Sequence, residues 1–145
     1  MKNHYDVVVI GAGAAGMMCA AQAGQRGKRV LLIDHYHLLG EKIRISGGGR
    51  CNFTNIHCKP ENFLSQNPHF ARSALARYTP QDFIKLVESY GIAYHEKTLG
   101  QLFGDNRAQQ IMDMLKSECD KGGVELRRET SVSSVEQTGD GFRLN

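Results

Sequence analysis

Three glycines and one aspartate near the start of the chain have the spacing of a phosphate-binding turn. Gly11, Gly13 and Gly16 read G-x-G-x-x-G, and Asp34 follows 23 residues after Gly11. Such glycines allow a tight turn, a close approach of the backbone to phosphate and close packing of a helix. The free N–H groups at the start of that helix favour an anion, and the carboxylate accepts hydrogen bonds from a ribose hydroxyl. The pattern indicates chemistry with a nucleotide pyrophosphate.

The elements that must position these residues are a strand, a helix and a second strand. Residues 5–10 are almost wholly apolar, as is typical of a parallel strand buried on both faces. Residues 14–25 are rich in alanine and methionine and lack proline, which favours a helix, and residues 29–33 predict the second strand. Together they predict a βαβ unit; the alternative is a βαβ unit whose turn holds no ligand. Because a carboxylate repels a 2′-phosphate, Asp34 disfavours NADP, whereas NAD and FAD both remain.

The composition is that of one ordinary globular domain. The 145 residues are 41% hydrophobic and 23% charged, with a formal net charge of +3, which is enough for a core. No apolar run reaches the roughly 20 residues needed to cross a bilayer, and the N-terminus lacks the pattern of a signal peptide. We therefore expect a cytoplasmic protein with no membrane partner. The densest basic cluster (Lys42, Arg44 and Arg50) flanks glycines rather than aromatic residues, so no nucleic-acid partner is expected.

Cysteines and histidines give no metal pattern. The four cysteines are widely spaced and are expected to be free thiols. No metal site is expected, because no standard zinc spacing is formed by His35, His37, His57 and Cys58.

A second glycine run, residues 47–49, follows Ser46 and precedes Arg50. Three consecutive glycines lose much backbone freedom on folding, so a ligand should offset that cost. Backbone N–H groups without side chains beside them can face an anion or a flat ring, and Ser46, Arg50, Asn52 and Asn55 supply polar groups nearby. The alternative is a flexible surface loop.

The first glycine turn and the run EKIRISGGGRCNFTN (residues 41–55) together resemble a family of bacterial flavoproteins. These are the NAD(P)/FAD-dependent oxidoreductases of the aminoacetone-oxidase-like type, within the glutathione-reductase-like superfamily. The Ser-Gly-Gly-Gly-Arg-Cys-Asn run is the most specific part. Residues 99–103, the helix after them and the strand around Val132 resemble the family as well. A departure is Gly104-Asp105-Asn106, where many members have a proline-containing turn.

The resemblance implies an FAD cofactor, with its ADP half at the first turn. It places the triple-glycine loop along the pyrophosphate, ribitol and isoalloxazine, Lys42 near the phosphates and the backbone of Val132 near the adenine. The cofactor-binding residues predicted in this way, with those of the first turn, are Gly11, Gly13, Ala14, Ala15, Gly16, Asp34, His35, Lys42, Ser46, Gly47, Gly48, Gly49, Arg50, Cys51, Asn52 and Val132.

Cys51 invites a redox interpretation. The disulfide-reductase relatives carry C-x4-C beside the flavin, but six residues separate Cys51 from Cys58, so that pattern fails. Near a flavin and Arg50, the pKa of Cys51 would be lowered. Simple packing of the thiol, which is the more common role of such a cysteine, is the favoured interpretation.

The remaining pattern alternates helices and strands. Helical spacing covers residues 70–78, and Thr79-Pro80-Gln81-Asp82 predicts the start of a helix that ends at Gly91. Residues 92–94 and 101–103 predict a small hairpin, after which Asp105 is expected to cap a helix ending at residues 122–123. Residues 124–126 and 131–136 predict strands, and residues 138–141 a turn into a last strand.

The predicted fold is α/β, a Rossmann-like FAD-binding domain of three layers with a mostly parallel sheet. Residues 1–58 and 122–145 would form the nucleotide-binding core, and residues 59–121 a helical excursion. Since a single βαβ unit leaves such a sheet short of strands, we expect an N-terminal fragment of a larger protein. The predicted function is to bind FAD for an oxidoreductase whose small-molecule substrate, electron donor and catalytic residues are unassigned. A flavin-dependent RNA-modifying enzyme and a non-enzymatic redox sensor are the alternatives.

Overall fold

The structure is a computed structural model that describes residues 4–145. The chain forms two compact units: the first unit comprises the described residues up to Glu41 with Leu115–Asn145, and the second unit comprises Lys42–Met114. Residues 42–58, which the sequence assigns to the nucleotide-binding core, pack within the second unit. These units describe packing only. The functional division into a nucleotide-binding core and a helical excursion stays a prediction.

Short helices and strands follow one another along the described chain. The longest helices have 12 and 13 residues, and none in the described part of the chain is long and apolar enough to cross a membrane. In chain order the elements are β1 (Val7–Ile10), α1 (Ala14–Gln25), β2 (Val30–Ile33), α2 (Glu41–Ile45), β3 (Asn52–Asn55), α3 (Arg72–Arg77), α4 (Pro80–Ser89), β4 (Tyr94–Glu96), β5 (Gln101–Gly104), α5 (Gln109–Lys121), β6 (Glu125–Arg127), β7 (Val135–Thr138) and β8 (Gly141–Leu144).

The first unit is built on a parallel sheet with strand order β1-β2-β6. All four side chains of β2 are buried, as expected for the central strand of a sheet covered on both faces. The helix α1 joins β1 to β2, and the end of α5 packs beside it: the Cys119 thiol donates to the Met17 carbonyl at 3.3 Å. The predicted βαβ unit is confirmed, and the bounds of α1 are those that the sequence indicates.

The second unit contains an antiparallel sheet with strand order β3-β5-β4. The hairpin of β4 and β5 is the one predicted, whereas the pairing of β3 with β5 was not predicted. Phe53 on β3 contacts Phe83 of α4, with ring centres 6.0 Å apart, and meets Tyr94 edge-on at 5.5 Å. These aromatic contacts pack α4 against the sheet, and Val87 of the same helix is fully buried.

Two local predictions are wrong. Asp105 does not cap α5, which begins at Gln109; its Oδ1 lies 2.7 Å from His95 Nδ1 instead. The antiparallel pairing sets His95 opposite Phe103, which brings the imidazole beside the chain that leaves β5. The strand predicted at residues 131–136 begins later, as β7, Val135–Thr138, whose first residue pairs with Leu144 of β8.

Candidate nucleotide-binding site

The first glycine turn lies at the carboxyl ends of β1 and β2. Gly11 has φ of +102°, a backbone conformation that favours glycine, and its N–H donates to the Ile33 carbonyl at 2.7 Å. A Cβ on Gly16 would lie 1.8 Å from the Gly11 carbonyl oxygen. Only a residue without a side chain therefore lets α1 start this close to the strand that precedes it.

The N-terminus of α1 is open to an anion. Its N-cap residue, Gly13, has no capping side chain, and no acidic residue stands in the first turn. Within residues 4–145, no group accepts a hydrogen bond from the N–H of Ala14, Ala15 or Gly16, and a Cβ on Gly13 would meet nothing within 4 Å. Free donors, the helix dipole and open space beside Gly13 are the features that a phosphate group requires.

Asp34 is held firmly at the end of β2. Its Oδ2 accepts from the N–H of Ala12 at 2.6 Å, and its Oδ1 accepts from the N–H of Tyr36 at 2.8 Å. The side chain is 14% exposed, whereas that of the neighbouring His35 is 80% exposed. The aspartate thus braces the glycine turn, a role that the sequence did not predict, and each carboxylate oxygen keeps a lone pair for a ligand.

A cavity of about 490 Å³ opens beside Asp34. The residues that line it are Ile10, Gly11, Ile33, Asp34, His35 and residues 130–135. It lies where open α/β sheets bind ligands, outside the carboxyl ends of the strands. Val132 is in an irregular segment rather than in the predicted strand, yet it lines this cavity. Thr130 and the serines beside Val132 were missed, although a run of small polar residues after a core strand was the available signal.

The triple-glycine loop belongs to the second unit. Gly47, Gly48 and Gly49 have φ of +58°, +66° and +85°, which side chains rarely adopt. A Cβ on Gly47 would lie 2.6 Å from the ring of Phe103, and Gly49 accepts from the N–H of Ala108 at 2.8 Å. The loop is therefore a defined turn with exposed backbone at Gly47 and Gly48, rather than a featureless linker.

The polar residues around this loop have different exposures. Lys42 and Arg50 are exposed, and Ser46 is half-buried with its hydroxyl donating to the Ile43 carbonyl at 2.9 Å. Asn52 begins β3, opposite Phe103. Gly47 and Asn52 therefore both lie beside Phe103, so the loop is gathered around this residue. The contribution of Phe103 was not predicted.

The structure favours packing of the Cys51 thiol over a reactive role. The side chain is 4% exposed, and burial raises the pKa of the Cys51 thiol, against a smaller lowering by the Ser46 hydroxyl. The backbone at Cys51 has φ of +61°, a strained conformation for this residue. The thiol is thus packed, which counts against a Cys51 redox sensor.

The predicted site residues fall into two groups. Those in the first unit are Gly11, Gly13, Ala14, Ala15, Gly16, Asp34, His35 and Val132, and those in the second unit are Lys42, Ser46, Gly47, Gly48, Gly49, Arg50, Cys51 and Asn52. The structure brings the first group together around the glycine turn and the cavity. The second group is gathered around the triple-glycine loop.

Residues 5–145 match the family described as HI0933-like protein Rossmann domain. The chain is 60% identical over 143 residues to the ribosomal RNA dihydrouridine synthase of Escherichia coli (strain K12), an alignment covering 99% of this chain and 36% of that protein. It is 56% identical over 137 residues to the enzyme of the same name from Haemophilus influenzae, with 94% and 34% covered. The chain spans about a third of the length of these curated relatives.

Among solved structures, the halogenase PltM in complex with phloroglucinol and FAD superposes with a TM-score of 0.52. The identity is 23%, and the alignment covers 99% of this chain and 31% of that one. Likeness at this identity concerns the fold, and the predicted Rossmann-like α/β class is confirmed.

The expectation that no nucleic acid is a partner is contradicted by the two curated relatives, both named for a reaction on ribosomal RNA. The charge argument failed because it considered only where basic residues cluster within this sequence. It also reported on only about a third of the relatives' length.

The glycine turn, the parallel sheet and the match over residues 5–145 lead to one conclusion: this chain belongs to the HI0933-like family and forms its Rossmann domain.

Proposed function

We propose that this chain is the FAD-binding part of a flavin-dependent enzyme that reduces uridine in ribosomal RNA. The observation that carries the proposal is the 60% identity, over 99% of this chain, to a protein named ribosomal RNA dihydrouridine synthase. Since the chain spans 36% of that relative, the activity of the whole protein and its RNA partner are part of the proposal. The cytoplasmic location predicted from the sequence belongs to it too, because ribosomal RNA would be the substrate.

The residues of the first unit fit the ADP half of FAD. The free N–H groups of Ala14 and Ala15 would hold the pyrophosphate, which could approach through the open space at Gly13. Asp34 would accept a ribose hydroxyl, since its carboxylate is fixed by two backbone N–H groups. The cavity lined by His35 and Val132 would take the adenine.

The residues of the second unit enter the proposal through the resemblance to flavoproteins. Lys42 and residues 46–52 stay proposed cofactor contacts, with the exposed backbone of Gly47 and Gly48 available to a flat ring. When bound and reduced by an electron donor such as a reduced nicotinamide, the flavin would supply the hydride that reduction of a carbon–carbon double bond requires. Residues 4–145 bind and orient the cofactor, and we assign no catalytic acid to them. The resemblance to aminoacetone-oxidase-like enzymes is kept only as membership of the same flavoprotein superfamily.

The functional division of the sequence is carried into this proposal. Residues 1–58 and 122–145 would serve the nucleotide, and residues 59–121 would be an excursion from that core. A flavin-dependent oxidoreductase acting on a small molecule is the competing function, because the nucleotide site by itself does not select a substrate.

The test uses the full-length protein that carries this segment. Ribosomal RNA from a strain lacking the gene is incubated with purified protein and a reduced nicotinamide donor, digested to nucleosides and analysed by mass spectrometry. We expect FAD to be released from the purified protein on denaturation, and dihydrouridine to form in the RNA. Protein treated in the same way without a donor is the control.

Two results would overturn the proposal in different ways. A protein that holds FAD but yields no dihydrouridine in the ribosomal RNA would rule out the RNA reaction and favour a small-molecule substrate. A protein that neither retains FAD nor takes it up would rule out the flavoenzyme itself.

A further inference from the structure

An exposed apolar surface lies in the second unit, ahead of α3. Residues 61–70 are all exposed, and three of them are large apolar side chains: Phe63 is 40% exposed, Leu64 is 95% exposed and Phe70 is 55% exposed. The rings of Phe63 and Phe70 meet edge to face, with centres 6.3 Å apart. We call Phe63, Leu64 and Phe70 the aromatic patch. Apolar side chains clustered in this way on a surface indicate an interaction site.

The backbone beneath the aromatic patch has a defined shape despite its exposure. The N–H of Phe63 donates to the Pro60 carbonyl at 3.1 Å, and the N–H of Phe70 donates to the Asn67 carbonyl at 3.3 Å. The Asn62 side chain accepts from the N–H of Lys59 at 2.9 Å. Local hydrogen bonds therefore present the two rings together, and ordering on binding would cost little conformational entropy.

The charges around the patch are predominantly positive. Residues 57–78 contain three cations, Lys59, Arg72 and Arg77, and one acid, Glu61. All three cations are exposed, and none forms an ion pair with a carboxylate in the described part of the chain. Arg72 and Arg77 are the first and last residues of α3, the helix that follows Phe70.

We infer that the aromatic patch and the cations Lys59, Arg72 and Arg77 form a surface that binds single-stranded ribosomal RNA. Aromatic rings stack on unpaired bases without regard to sequence, and arginine and lysine track the phosphates between them. A duplex offers no free base face to two exposed rings, so single-stranded or looped RNA is the form that fits. This inference rests on the proposed function and extends it by naming where RNA is held.

The first test removes the rings from the full-length protein. Binding of a short fluorescein-labelled oligouridine is measured by fluorescence anisotropy for the wild type and for F63A/F70A. Loss of stacking is expected to weaken binding by at least about fivefold, with a smaller effect on the same oligonucleotide annealed to its complement. L64S is a further test, and L99S is its matched control, because both leucines are exposed, at 95% and 86%. Only Leu64 belongs to the patch, so only L64S should weaken binding.

The second test removes charge without touching apolar residues. For R72Q/R77Q, the slope of log affinity against log salt is expected to become shallower by about 1.4, because each phosphate of a single strand that an arginine neutralises contributes about 0.7 to the slope. K28Q removes an exposed cation of the first unit and should leave the slope unchanged. Because both arginines are exposed, this variant keeps the test decisive even if F63A/F70A folds poorly.

The outcomes separate this inference from the proposed function. If wild-type protein forms dihydrouridine while F63A/F70A and R72Q/R77Q bind oligouridine as the wild type does, the surface is wrong and the function stands. Unchanged RNA affinity with a lowered melting temperature in F63A/F70A would mean that the patch packs against protein, which also overturns the inference. Wild-type protein that neither binds oligouridine nor forms dihydrouridine overturns both.

Discussion

Gly13 and Gly16 belong to one motif but are glycines for different reasons. A Cβ on Gly16 would lie 1.8 Å from the Gly11 carbonyl oxygen, whereas a Cβ on Gly13 would meet nothing within 4 Å, and Gly13 has an ordinary negative φ of −81°. The fold therefore requires glycine at Gly16. At Gly13 the protein alone has no such requirement, and the open space fits the close approach of a ligand.

We therefore expect substitution of Gly16 to affect mainly stability and substitution of Gly13 to affect mainly cofactor binding. G16A is expected to lower the free energy of unfolding by about 1–3 kcal/mol or more, since the methyl group overpacks against backbone. G13A is expected to change that free energy by less than about 1 kcal/mol while weakening FAD binding about tenfold or more, equivalent to about 1.4 kcal/mol. Thermal unfolding of the cofactor-free protein and titration with FAD measure the two effects. Unchanged FAD affinity in G13A would contradict the placement of the pyrophosphate.

At the scale of an element, α4 shows how a local signal sets a boundary. Thr79 and Asp82 form a reciprocal capping box: the N–H of Asp82 donates to the Thr79 hydroxyl oxygen at 3.2 Å, and Asp82 accepts from the N–H of Thr79 at 2.8 Å. Pro80 occupies the first helical position. These bonds satisfy two N–H groups that a helix otherwise leaves without a partner.

T79A is expected to lower the stability of α4 by about 1 kcal/mol. Hydrogen bonds from the backbone and the hydroxyl of Thr79 hold the pKa of Asp82 below its ordinary value of 3.8. The stabilising contribution of this carboxylate is therefore present above that value and is lost as pH falls through the lowered pKa. Amide hydrogen exchange over α4 should show the difference between wild type and T79A at neutral pH and its decrease in acid.

Ser73 supplies the matched control for that measurement. It is exposed within α3, and S73A is expected to stay within about 0.5 kcal/mol of the wild type. Equal exchange rates in T79A and S73A at neutral pH would show that the box does not stabilise α4.

At the scale of the whole molecule, binding of FAD should stabilise the folded protein. The residues that fit the ADP half of FAD are contributed by segments as distant in sequence as Gly11 and Val132. A ligand held by both segments binds the native state and not the unfolded chain. It therefore stabilises the fold by an amount that depends on its concentration relative to its dissociation constant.

We expect FAD to stabilise the cofactor-free full-length protein by about 2.7 kcal/mol at 100 times its dissociation constant. FMN, which lacks the adenosine and its phosphate, is expected to raise the melting temperature much less at the same concentration, because it offers nothing to Asp34 or to the adenine cavity. ADP is the complementary control and should stabilise on its own. Equal shifts with FMN and FAD would contradict the use of the first-unit site.

Much of the nucleotide site follows from local sequence. The bounds of α1 and the Thr79 cap before α4 were predicted correctly, because turn and cap preferences depend on residues within a few positions of one another. The resemblance to flavoproteins added FAD. The βαβ unit followed because its strands and helix are consecutive in the chain.

The sequence by itself therefore determined the Rossmann-like α/β fold class and the position of the glycine turn. Only the tertiary structure decided which distant residues meet: Asp34 on the N–H of Ala12, Val132 in the cavity, and His95 beside Asp105. It also decided that Cys51 is buried and that Phe63 and Phe70 are exposed. The physical reason is that burial and long-range pairing depend on how the chain returns to itself, and one apolar residue type can serve either a core or an exposed surface.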